Sequence, residues 1–159
     1  MSDLHQIQSA VHQRTRAIVS AHSAWPCRKG CDDCCRSLAS APRITRAEWL
    51  LIASALDALP SQTADAARCR IEASASASRP VVCPLLDTAS GACLIYDARP
   101  IACRAYGFYA ERQAVLGCAR IESIAAQWPE VVWGNHTALE DRLSLFGPAA
   151  TLAEWLATF

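Results

Sequence analysis

The order of apolar and polar residues predicts a chain that is mostly helical in its first half. Over residues 3–21, Leu4, Ile7, Val11 and Ile18 recur at helical spacing on one face, with Gln and Arg residues opposite. A second helix is expected from the capping-box sequence that begins at Thr45, and Pro60 ends it. Ser61 to about Ser74 is rich in alanine, which favours a third helix.

The middle of the chain departs from this helical pattern. Apolar residues 81–86 lead into a turn-rich run over 87–91, and 92–96 follows as a strand candidate, so a short hairpin is expected, with an irregular segment as the alternative. Further helices are expected near residues 100–106, 119–128, 135–146 and 151–157. The last two carry capping-box sequences that begin at Thr137 and Thr151. The predicted fold class is therefore mainly α with a small irregular or β-hairpin element.

Length and charge narrow the class of protein. The chain has 159 residues and a mass of 17.2 kDa, which fits a single compact domain over residues 1–159. Fifteen basic residues balance fifteen acidic ones, so no nucleic-acid partner held by bulk charge is expected. No secretory signal and no long apolar run is visible, which predicts a cytoplasmic protein without a membrane partner. The sequence does not indicate a protein partner.

Nine cysteines change this picture. Cys27, Cys31, Cys34 and Cys35 lie close together, and Cys83, Cys93, Cys103 and Cys118 form a sparser second group. In a reducing compartment such a framework favours metal ligation over disulfides, and thiolates suit both zinc and iron–sulfur clusters. Since neighbouring side chains of an extended backbone point apart, we expect Cys34 and Cys35 to serve different metal centres. Cys69 stands alone and is interpreted as a bystander.

The hypothesis from the residues is therefore a metal-stapled domain with eight ligands. The second group lacks the paired-cysteine knuckles of zinc ribbons, which favours an iron–sulfur cluster over Zn²⁺. Basic side chains near the cysteines are expected to offset the charge of the site and to lower the thiol pKa values; a solvated rim is the alternative. They are Arg28, Lys29, Arg36, Arg99 and Arg104. His22 and His136 are weaker candidates for additional ligands.

These motifs resemble the CxxCxxCC cysteine-cluster family over residues 27–118. The resemblance rests on Cys27-x₃-Cys31-x₂-Cys34-Cys35 and on Arg99-Pro100-x₂-Cys103-Arg104-x-Tyr106, although the first gap is three residues rather than two. It implies chelation of zinc or iron by the eight cysteines. Related clusters occur in flagellin lysine-N-methylases, which leaves open an iron–sulfur-dependent oxidoreductase or a methyltransferase-like activity. The alternative is a structural zinc module that mediates protein–protein interaction.

Overall fold

The computed structural model describes residues 3–159, and this range is mainly helical, which confirms the predicted fold class. Within it, no helix is both long enough and apolar enough to cross a membrane. Its α-helices are α1 Leu4–Ala21, α2 Asp33–Arg36, α3 Arg46–Asp57, α4 Ser61–Ala73, α5 Ile101–Ala105, α6 Ala119–Gln127, α7 His136–Ser144 and α8 Leu152–Thr158. Short 3₁₀ turns cover Ser74–Ser76 and Tyr96–Ala98.

The strands of the described residues are two or three residues long. They are β1 Ile44–Thr45, β2 Leu86–Asp87, β3 Ala92–Cys93, β4 Tyr109–Glu111, β5 Ala114–Val115, β6 Gly134–Asn135 and β7 Ala149–Ala150. The antiparallel pair β2–β3 is the predicted hairpin, with Leu86 opposite Cys93. The antiparallel pair β1–β7 and the sheet of order β5-β4-β6, in which β4 and β6 are parallel, were not predicted.

The described chain divides into two compact units. The first unit contains the residues up to Arg28 together with Ile101–Leu145, and the second contains Lys29–Pro100 together with Phe146–Phe159. The expectation of one domain over residues 1–159 stays a prediction.

In the first unit, α1 packs against α5 and α7. The predicted apolar face of α1 is confirmed, because Leu4, Ile7, Val11 and Ile18 are its buried residues. Aromatic rings fill the space after this helix. The ring centroids of Trp25 and Phe108 lie 5.7 Å apart, and those of His22 and Trp128 lie 4.6 Å apart in a stacked arrangement.

The second unit has its hydrophobic core between α3, α4 and α8. Its buried members are Ile44, Trp49, Ile52, Leu56, Ala67, Ile71, Leu85, Ile95 and Leu152. Cys83 and Cys93 pack against this core while remaining partly exposed. The hairpin with Cys93, and the segment before it with Cys83, are therefore held by ordinary apolar burial.

The predicted helix starts are right at two positions and wrong at one. Thr45 and Thr151 each form a full capping box with the Glu residue three positions later. The box predicted at Thr137 does not form; instead Asn135, at the end of β6, accepts a hydrogen bond from the Ala138 N–H and begins α7 two residues earlier. Pairing of β6 with β4 places Asn135 in extended backbone, which is the conformation an N-cap needs.

The two capping boxes differ in burial, and this difference is testable. The Thr45 hydroxyl donates to the Glu48 carboxylate at 2.9 Å, and Glu48 is only 4% exposed. We therefore expect Thr45→Ala to lower the free energy of unfolding by about 2–3 kcal/mol, because the buried carboxylate loses a donor as the helix loses its cap. The matched variant Thr151→Ala, whose partner Glu154 is exposed, is expected to cost about 0.5–1 kcal/mol. Urea denaturation measures both, and equal losses would contradict this account.

Candidate metal centre

The distribution of the cysteines between the two compact units differs from their grouping along the sequence. The second unit holds Cys31, Cys34, Cys35, Cys69, Cys83 and Cys93, whereas the first unit holds Cys27, Cys103 and Cys118. All nine cysteines lie within the described residues, and none is joined in a disulfide. Cys69 is exposed on α4, the helix whose buried residues are Ala64, Ala67 and Ile71.

Cys34 and Cys35 lie in the single helical turn α2 rather than in an extended loop. The turn is closed at Asp32, whose backbone oxygen accepts from the Arg36 N–H at 2.9 Å and whose carboxylate accepts from Arg36 Nε at 2.6 Å. Because consecutive helical side chains are not on opposite faces, the Cys34 thiol reaches the sulfur of Cys35 and donates a hydrogen bond to it. The expectation that the two thiols point apart was therefore wrong. The argument for assigning them to different metal centres, which depended on that expectation, no longer holds.

Backbone hydrogen bonds fix this turn to the segment that carries Cys83. The Cys83 N–H donates to the Cys35 oxygen at 2.7 Å. Further along, Leu38 and Val81 exchange two backbone hydrogen bonds of 2.9 Å in an isolated bridge. Cys35 and Cys83 are therefore neighbours through the main chain as well as through their side chains.

The segment that carries Cys31 lies against the turn of the β2–β3 hairpin. A Cβ atom placed on Gly91 would be 3.1 Å from the Gly30 oxygen and 3.3 Å from the Asp32 carboxylate. The Arg36 side chain adds a hydrogen bond of 3.2 Å to the Thr88 oxygen in the same turn. A side chain at position 91 would force these neighbours to shift by a few tenths of an ångström, and the φ of +67° also favours glycine.

Four thiols of the second unit interact as a group that we call the thiol cluster: Cys34, Cys35, Cys83 and Cys93. The Cys34 thiol donates to Cys35, the Cys35 thiol donates to Cys83, and Cys93 acts on Cys35 electrostatically. The donors come from two separate parts of the chain, the turn α2 and the hairpin region. The structure thus brings together two cysteines of each sequence group.

Two members of the thiol cluster, Cys34 and Cys35, have raised pKa values and so favour the protonated state. The hydrogen bond to Cys35 raises the pKa of Cys34 far above its usual range, and burial adds to the rise. The hydrogen bond from Cys34 lowers the pKa of Cys35, but the bond to Cys83, burial and the neighbouring thiols outweigh it and raise that pKa to about 11.

The expected effect of the basic side chains is found only in part. Burial raises the pKa of Cys93, although a backbone hydrogen bond at Ile95 and the charge of Arg99 oppose the rise. In the described cysteines with shifted pKa values, desolvation and thiol–thiol contacts therefore raise the pKa by more than the cations lower it. The predicted lowering by a nearby cation is therefore found for Arg99 at Cys93, but burial outweighs it and the pKa of Cys93 is raised.

The first unit places its three cysteines on different elements. Cys103 lies within α5, and Cys118 is the N-cap residue of α6. Cys27 lies against Gly107, since a Cβ atom there would be 2.5 Å from Cys27 Sγ. The Gly107 N–H donates at 2.6 Å to the oxygen of Leu116, two residues before Cys118. Sequence reasoning missed Gly107, for which its position next to the Cys103–Tyr106 motif was the available signal.

The cysteines do not form a ready-made ion site as they stand. Over residues 3–159, no three His, Cys, Asp or Glu side chains are grouped so that they could hold a metal ion. His22 stacks on Trp128, and His136 lies 3.6 Å from the Glu140 carboxylate. The donor chemistry of the thiol cluster nonetheless fits a soft metal, because thiolate sulfur is a soft ligand and Cys34, Cys35 and Cys83 are linked by S–H···S hydrogen bonds whose protons a metal would replace.

Comparison with known proteins gives the class of the chain. Residues 26–127 match the CxxCxxCC family, described as a "putative zinc- or iron-chelating domain". The match covers more than half of the chain and includes all eight cysteines of the two sequence groups. The chain belongs to the CxxCxxCC family. No curated protein and no solved structure matches it.

The contact between Gly107 and Cys27 gives a prediction with a matched control. Gly107 and Gly147 have nearly the same left-handed backbone, with φ of +86° and +92°, but a Cβ atom on Gly147 would meet nothing within 4 Å. We expect Gly147→Ala to cost about 1–2 kcal/mol of unfolding free energy through backbone strain alone. Gly107→Ala is expected to cost about 1–3 kcal/mol more, because the Cys27 thiol must move.

A double variant separates crowding from other causes. Replacing Cys27 by Ala in the Gly107→Ala chain removes the sulfur that the new Cβ meets, so part of the lost stability should return. Chemical denaturation of the two single variants and the double variant measures this coupling. If the losses of unfolding free energy in the two single variants simply add in the double variant, then contact with the Cys27 sulfur is not the reason for glycine at position 107.

Proposed function

We propose that this chain chelates a soft transition metal through its cysteine thiolates. The proposed ligands are Cys27, Cys31, Cys34, Cys35, Cys83, Cys93, Cys103 and Cys118. The observation that carries the proposal is the thiol cluster, in which Cys34, Cys35 and Cys83 share protons through hydrogen bonds beside Cys93. The family description supports zinc or iron as the metal.

The local architecture favours ligation over a purely structural role for these thiols. The hydrogen bond between Cys83 and Cys35 and the bridge between Leu38 and Val81 hold the donors before any metal arrives, which reduces the chain entropy lost on binding. Since burial and thiol contacts raise the pKa values of Cys34, Cys35 and Cys93, binding requires that the metal displace protons from them. Metal affinity is therefore tied to the packing of the second unit.

Iron–sulfur and zinc remain the two candidates, and we favour iron–sulfur because Cys83, Cys93, Cys103 and Cys118 lack the zinc-ribbon spacing. When bound, an iron–sulfur cluster would supply redox chemistry, whereas zinc would supply a rigid tetrahedral link. A structural zinc link is consistent with the position of Cys83 and Cys93, which pack against the core that such a link would stabilise. The role of such a module in protein–protein interaction stays a prediction. An oxidoreductase or methyltransferase-like activity stays a prediction.

Anaerobic purification of the full chain decides between the candidates. Iron with acid-labile sulfide and broad visible absorption would support the iron–sulfur proposal. A colourless protein that carries zinc would support the structural alternative. A protein that binds neither metal after reconstitution, with all nine thiols open to titration, would contradict metal chelation itself.

Single substitutions test the assignment of the ligands. We expect Cys35→Ser to lose most of the bound metal, because Cys35 is the middle member of the hydrogen-bonded thiols and serine is a poor ligand for soft metals. Cys69→Ser is the control, since Cys69 is exposed on α4 and lies outside the thiol cluster. Metal analysis after gel filtration measures both variants. Equal loss at Cys69 would show that the division into eight ligands and one bystander is wrong.

A further inference from the structure

The first unit contains a cavity of about 540 Å³ whose described lining includes no cysteine. Its walls come from the sheet β5-β4-β6, from α6 and the loop after it, and from the beginning of α7. Small-molecule sites in proteins occupy about 300–1,000 Å³. The cavity is therefore large enough for a small organic ligand.

Part of the cavity wall is apolar and carries a flat aromatic ring. Trp133 and Pro129 line it together with the smaller side chains of Val115 and Ala125. Trp133 packs on Trp25, which is only 3% exposed, and their ring centroids lie 5.5 Å apart. The Trp133 ring is thus held in place by the core of the unit, and its face can pack against a planar apolar group.

Neutral polar side chains line the cavity at the β4–β5 turn and at the beginning of α7. They are Gln113, Asn135 and Thr137. The Asn135 side-chain oxygen accepts from the Ala138 N–H at 3.0 Å, which leaves the amide NH₂ group of Asn135 as a donor. A few polar groups beside an apolar wall are typical of sites that bind and orient small molecules.

Arg112 supplies the charge of this cavity. It is the only charged residue among the described residues that line the cavity, and no carboxylate within residues 3–159 pairs with it. Its backbone is left-handed, with φ of +56°, in the two-residue turn between β4 and β5. Such turn positions favour glycine, asparagine or aspartate over arginine. Residues held against their backbone preference are concentrated at ligand sites.

We propose that this cavity binds a small organic carboxylate that carries a planar ring, with the ring against Trp133 and the carboxylate on the Arg112 guanidinium. A guanidinium bonds a carboxylate through two parallel hydrogen bonds. One guanidinium balances the single charge of a carboxylate, whereas a phosphate monoester carries a charge of about −1.5 to −2 at neutral pH. This site is independent of metal chelation by the cysteines.

An NMR titration of the ¹⁵N-labelled full chain tests the proposal with two probes, 2-naphthoate and its uncharged counterpart 2-naphthamide. 2-Naphthoate should shift the indole N–H signal of Trp133 with a dissociation constant of about 1 mM or lower. 2-Naphthamide should bind about tenfold more weakly. The indole signal of Trp49, which is buried in the core of the second unit, should not move. An unshifted Trp133 signal at about 10 mM 2-naphthoate, or equal binding of the two probes, would overturn the proposal.

A matched pair of arginine variants tests the role of Arg112. Arg112→Gln should weaken the binding of 2-naphthoate about tenfold and leave that of 2-naphthamide unchanged. Arg16→Gln removes the same charge from an exposed position on α1 of the same unit, and its effect should stay below about twofold. Equal losses in the two variants would show a general effect of charge and would overturn the assignment of Arg112.

Two further variants separate ligand binding from folding. Glycine suits the left-handed backbone, so Arg112→Gly should unfold at the same urea concentration as wild type or at a higher one, while its binding of 2-naphthoate falls as in Arg112→Gln. Ala125→Leu adds bulk to the cavity wall and should weaken the binding of both probes. Unchanged binding of 2-naphthoate in either variant would contradict the proposed site.

Discussion

The backbone hydrogen bond from Cys83 to Cys35 joins the two parts of the chain on which the thiol cluster depends. Val81, on one side of Cys83, pairs with Leu38, and Leu85, on the other side, is buried in the core of the second unit. Because the main chain is held on both sides of Cys83, its backbone cannot move away from Cys35 without disturbing apolar packing. The placement of Cys83 beside Cys35 is thus coupled to hydrophobic burial in this unit.

The same burial sets the charge state of the thiols. Contacts among the cysteines and partial desolvation raise the pKa values of Cys34, Cys35 and Cys93. These three thiols are therefore neutral in the metal-free protein. A metal that binds through these thiols would have to displace their protons.

Local patterns were predictable, whereas long-range pairing was not. The apolar face of α1, the cap at Thr45 and the β2–β3 hairpin follow from residues close in sequence, and the structure contains all three. The bridge between Leu38 and Val81 joins residues that no short-range pattern connects. The N-cap of α7 is Asn135 and not the predicted Thr137, because strand pairing holds Asn135 in extended backbone.

The candidate site shows the same division. The eight cysteines and their neighbouring cations were visible in the sequence, but the contact between Cys34 and Cys35 depends on a helical turn that their adjacency did not indicate. The direction in which the thiol pKa values shift could not be predicted either. It depends on the burial of each thiol as well as on nearby charges, and burial is not visible in the sequence.

X-ray absorption spectroscopy of the metal in the anaerobically purified chain tests the central claim most directly. If cysteine thiolates are the ligands, the metal will show an all-sulfur first shell at about 2.3 Å. A first shell that contains nitrogen or oxygen from protein side chains in place of these sulfurs would contradict the account.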